Sequence, residues 1–153
     1  MVNKDKSHVS GTVSMWLFGI DGKLKQFVQC ENLVLPAGLT WIASRCIGGR
    51  SPESLDGIAV GTDNTAAASS DLALVAEIDR EELIIDPWTG VGASSHIFYC
   101  RTAFDGTQAI GTIQEYGIYF GSQLFNRAVI NPAVTKASGE ILVVEAAIAQ
   151  NDS

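Results

Sequence analysis

Asp21-Gly22 stands between two segments in which apolar and polar residues alternate, and no other dipeptide in the chain restricts the fold as much. Asp-Gly readily takes the positive φ of a type I′ turn, whose twist matches that of two hydrogen-bonded strands. Residues 11–18 (GTVSMWLF) put Val13, Met15 and Leu17 on one face and Thr12, Ser14, Trp16 and Phe18 on the other. Residues 24–30 (LKQFVQC) then return antiparallel to them as a hairpin.

The remainder keeps the same rhythm. Residues 55–61, 81–86, 96–104, 115–120, 123–130 and 140–148 have strand character and are separated by glycine, proline or Asp-Gly. The last, EILVVEAAI, is apolar on both faces except at Glu145, as a central strand of a sandwich would be. Between Pro36 and Ile47, Leu39, Ile42, Ala43, Cys46 and Ile47 fall at helical spacing, and Gly48-Gly49 ends the pattern. Residues 62–70 (TDNTAAASS) contain no large side chain and form a surface crossing. Residues 71–80 fit a strand or a short helix equally well. The expected fold is mainly β: an antiparallel two-sheet β-sandwich with one short helix packed against it. Residues 1–10 form an N-terminal arm, and residues 11–153 a single domain.

Composition narrows the functions. With 46% apolar and 18% charged residues the chain folds around a core, and its net charge of −7 argues against a phosphate-binding surface, so nucleic acid is not an expected partner. The charge is uneven, with six carboxylates in residues 71–86 against Arg80 alone. No apolar run approaches the ~18 to 20 residues of a membrane-spanning helix, and the first fifteen residues lack the apolar core of a secretion signal. Cys30, Cys46 and Cys100 are too widely spaced for a zinc site and odd in number, and read as reduced, buried residues.

The sequence carries none of the common catalytic constellations. The chain has no Gly-x-Ser-x-Gly, Gly-x-x-x-x-Gly-Lys or His-Glu-x-x-His pattern. His96 and Cys100 on one strand would lie about 13 Å apart, beyond hydrogen-bond reach. The carboxylates of residues 71–86 lack the Asp-x-Asp-x-Asp-Gly loop that bends around calcium. The expectation is therefore a non-enzymatic protein with neither metal nor cofactor. Contact residues are sought instead among exposed tryptophans and the arm, which nominates Trp16, Trp88, Val2, Lys4 and Lys6. Trp41, beside the helical stripe, covers the sheet.

Residues 58–62 (IAVGT), the small-residue loop, and Leu74, Glu77 and Arg80 resemble a pattern in small virion structural proteins of tailed bacteriophages. The likeness continues through residues 96–104, residues 115–119 (EYGIY), the turn at residues 124–127 (LFNR), Lys136 and a final apolar strand, spanning about residues 32–148. The hairpin of residues 11–30 lies outside it. The resemblance implies a capsid decoration, or cement, protein made in the host cytoplasm and carried on the outer capsid surface. Its implied partner is the major capsid protein. Separately, the apolar-rich composition and the arm point to copies of the chain closing into a symmetric ring, a trimer, with each arm laid on its neighbour. A tail, baseplate or fibre-attachment component is the alternative, and a carbohydrate-binding β-sandwich module the third reading.

Overall fold

The computed structural model describes residues 8–46, 53–84 and 97–151. At Asp21-Gly22 the chain turns as the sequence predicts: Gly22 has φ 76°, its N–H donates to the Gly19 carbonyl at 2.9 Å, and the Lys23 N–H donates to Asp21 Oδ1 at 3.0 Å. The turn joins β1 (His8–Phe18) to β2 (Leu24–Val34), paired from Gly11↔Asn32 to Phe18↔Leu24. β1 begins earlier than expected. His8, Val9 and Ser10 pair with Asn151, Gln150 and Ala149 of β8 (Ile141–Asn151), so residues 8–10 belong to the sheet and not to the arm expected for residues 1–10, and Val2, Lys4 and Lys6 lie outside the described residues.

α1 (Pro36–Cys46) occupies the predicted helix, starting on a proline whose missing N–H has no role in a first turn; Ile47 lies outside the described residues. β3 (Gly57–Gly61), β4 (Glu77–Glu82), β5 (Ile97–Phe104), β6 (Gly111–Phe120) and β7 (Gln123–Lys136) complete the strands. Residues 71–76 form neither the helix nor the strand considered for them, and β4 lies upstream of the predicted 81–86. β7 runs past residue 130 through Asn131-Pro132, where the ladder with β6 shifts between Ile113↔Val134 and Glu115↔Val129. A proline is accommodated where the ladder is interrupted.

The two separate sheets expected of a sandwich are not formed. All pairings are antiparallel, and the strands make one eight-stranded sheet in the order β4-β3-β6-β7-β2-β1-β8-β5. β2 is the reason. It pairs with β1 as far as Asn32, and then Leu33 and Val34 pair with Arg127 and Asn126 of β7, carrying the sheet round a corner. The two ends nearly meet: the Ile84 N–H donates to the Arg101 carbonyl at 2.8 Å, and Thr102 Oγ1 donates to the Glu82 carbonyl at 2.7 Å. The result is a sheet nearly closed into a barrel.

Its interior is filled by alternate residues of the long strands, including Val13, Met15 and Leu17 of β1, Leu142, Val144, Ala146 and Ile148 of β8, and Tyr116 and Ile118 of β6. Removing a fully buried leucine such as Leu142 to alanine costs about 2 to 5 kcal/mol by lost transfer energy and the cavity left behind. α1 packs on β7 through a close approach at Gly38, where a Cβ would come within 2.3 Å of the Phe125 carbonyl oxygen. One turn on, Trp41 sets its ring edge-on to Phe125 at 5.8 Å and donates its Nε1–H to the Glu53 carbonyl at 2.7 Å. Leu39, expected on the apolar stripe, points to solvent at 46% exposure, because Gly38, Trp41 and Ile42 take the inward side.

Candidate interaction face

The outside of the sheet is divided. Over β3, β6 and β7 it is covered by residues 62–76, and Arg127 holds that cover. Arg127 is fully buried and donates to Glu115 Oε2 at 2.9 Å and to Asp71 Oδ2 at 3.1 Å, with Asp63 Oδ1 at 3.5 Å. Glu115, also fully buried, accepts the Val75 N–H at 3.0 Å and the Ala76 N–H at 2.6 Å. Tyr119 Oη accepts the Leu74 N–H at 2.9 Å, which seats Leu74 among Leu35, Ala59, Tyr119 and Leu124 in a second, smaller core. Arg80 lies over the Tyr119 ring at 3.5 Å and grips Glu77. The approach is tight enough that a Cβ on Gly61 would lie 2.4 Å from Glu115 Oε1 and 2.5 Å from the Ala76 carbonyl oxygen.

A second buried cation braces the opposite end of β7. Lys136 Nζ donates to the carbonyls of Asp105 at 2.6 Å and Gln108 at 2.7 Å, and burial draws its pKa below the usual lysine range. The Thr65 hydroxyl and amide, with a smaller contribution from Arg127, hold Asp63 below the ordinary carboxylate range.

The other half of the outer surface, on β2, β1, β8 and β5, has no such cover among the described residues. Pairing aligns its outward side chains in rows: Phe27, Trp16, Val143 and Ala103 form one, Gln29, Ser14, Glu145 and Arg101 the next, and Glu31, Thr12, Ala147 and Tyr99 a third. Trp16 packs on Phe27 with centroids 5.3 Å apart. Trp16, Phe18, Arg101 and Val143 line a shallow depression. Phe27 is 49%, Ile141 46% and Tyr99 37% exposed. Arg101 and Glu145 bond to each other in the middle, and Gln29 donates to Ser14 Oγ at 2.9 Å. The solvent side of an antiparallel sheet is ordinarily polar, whereas this one carries aromatic and aliphatic side chains on four adjacent strands.

Trp16 therefore lies where the sequence placed it, on the face opposite Val13, Met15 and Leu17, while Trp88 is outside the described residues. Phe27, Tyr99 and Val143 were not singled out. The available signal was the last strand, apolar on both faces: β8 lies between β1 and β5, and among the described residues only its inner face is covered. Burial raises the Cys100 thiol to about 12, and His96 lies outside the described residues. Among the described residues no three His, Cys, Asp or Glu side chains converge as metal ligands. No protein-family model, curated protein or solved structure matches the chain.

Proposed function

We propose that the chain is a non-enzymatic virion structural protein of a tailed bacteriophage, a decoration subunit that binds the major capsid protein on the outside of the shell and stiffens it. One observation carries this reading. The residues through which the sequence resembles such proteins are dispersed along the chain, yet six of them, from three of its pieces, meet in space. Leu74, Glu77, Arg80, Glu115, Tyr119 and Arg127 belong to the contacts that fasten the loop of residues 62–76 to the sheet. Lys136 braces a second turn. A pattern that builds one rigid unit supports a shared scaffold better than the same residues scattered would. Rigidity and broad surfaces are what a cement subunit needs.

Quantitative gel densitometry of purified particles against the major capsid protein tests the assignment. Decoration predicts hundreds of copies per particle. A ratio of a few copies overturns it and favours the tail or baseplate reading, which the same scaffold would serve.

A further inference from the structure

We infer that the uncovered face of β2, β1, β8 and β5 is the contact between copies of this chain. Residues 53–84 hold eight carboxylates and one base, Arg80, a sum of −7 that equals the charge of the whole chain, so the rest is balanced. This segment comprises β3, β4 and the covering loop, in the other half of the sheet. A partner chosen for charge would be basic and would seat there, whereas a second copy has the same sign and is repelled from it. The centre of the uncovered face carries no net charge. Arg101 and Glu145 bond to each other there, Lys25 is paired with Glu140, and Glu31 lies on the outermost of the four strands, at the border with the covered half. A like-charged copy can cover that centre without burying an unpaired charge.

Its extent is also sufficient. Four strands about 4.8 Å apart and about nine residues long present roughly 500 to 600 Å², or about 1,100 Å² counted over two copies, at the low end of specific interfaces. Two twisted sheets pack face to face at about 10 Å with interleaved side chains, and Trp16, Phe27 and Tyr99 supply the anchors. At that size the association is concentration-dependent.

Sedimentation equilibrium of the full chain at about 1 to 200 µM tests this, a range that spans the weak affinities of small interfaces. The wild-type mass is expected to rise above the 16.3 kDa monomer toward its multiples, and to stay raised at about 0.5 M salt, where charge contacts are screened. Phe27→Glu and Tyr99→Lys, both at exposed positions, should each raise the dissociation constant at least about 30-fold while the circular dichroism spectrum and melting temperature hold. Leu72→Ser, on the acidic half, should leave the mass curve unchanged. A wild-type chain monomeric throughout, a mass indifferent to both face variants, dispersal by salt, or loss of association on Leu72→Ser would each overturn the inference. The measurement uses no virus particle, so its failure is distinct from failure of the virion assignment.

Discussion

Glu115 and Arg127 are buried against each other with no exposed side-chain surface on either. A buried pair adds little net stability beyond an apolar substitute, but breaking one side leaves an uncompensated charge, at about 3 to 5 kcal/mol. Glu115→Gln should therefore lower stability by about that amount, read as a reduced urea midpoint. Replacing both residues together, Glu115→Leu with Arg127→Met, should recover only part of the loss, because the Val75 and Ala76 amides would still lack their acceptor. Acid acts on this loop and on the turns at Asp105 and Glu140. Asp63 is held low by the Thr65 hydroxyl and amide, Asp105 by the Thr107 amide and hydroxyl, and Glu140 by the Ala137 amide and Lys25. Each has a folded pKa below its unfolded value of 3.8 or 4.5, so its contribution is present above that value and disappears as pH falls through the folded one. Thermal melts should drop steadily between about pH 5 and pH 2. A midpoint constant over that range would contradict this.

Two opposing effects meet in α1 at Gly38. Alanine in place of an internal helix glycine normally gains about 1 kcal/mol, but here the added methyl would meet the Phe125 carbonyl at 2.3 Å. Overpacking of this kind costs about 1 to 3 kcal/mol, and the obstacle is backbone, which yields little. Gly38→Ala should lower the melting temperature and weaken the Trp41 contact with Phe125, visible as a red-shifted tryptophan emission. A higher melting temperature would show that the helix can lift away without loss. Elements whose partners are local were legible in the sequence: the Asp21-Gly22 hairpin and the helix from Pro36. The start of β1 at His8 was not, since its ladder partner Asn151 is at the far end of the chain. The corner in β2 was likewise hidden, because nothing in residues 24–34 shows that Leu33 and Val34 will pair elsewhere. The loop of residues 62–76 was readable as a crossing from its small residues. Its fastening was not, because Glu115 and Arg127 look like ordinary strand charges until the fold buries them.

Among the described residues, the molecule separates a net charge of −7, carried by residues 53–84, from an aromatic face on the other half of the sheet. Neutralising a carboxylate pair within the charged segment, Glu81→Gln with Glu82→Gln, should reduce retention on an anion-exchange resin more than the equally charge-changing Glu31→Gln with Glu145→Gln. A resin engages the densest patch first, and ion binding falls off over a screening length of about 8 to 10 Å. Equal reductions would mean that the charge behaves as if spread evenly. The lopsided distribution gives the molecule a large electric dipole. Near a positively charged surface it would rotate before touching, land on its acidic flank and present Trp16 and Phe27 outward. Molecules delivered in that common orientation would form a polarised layer, arranged before any specific bond has formed.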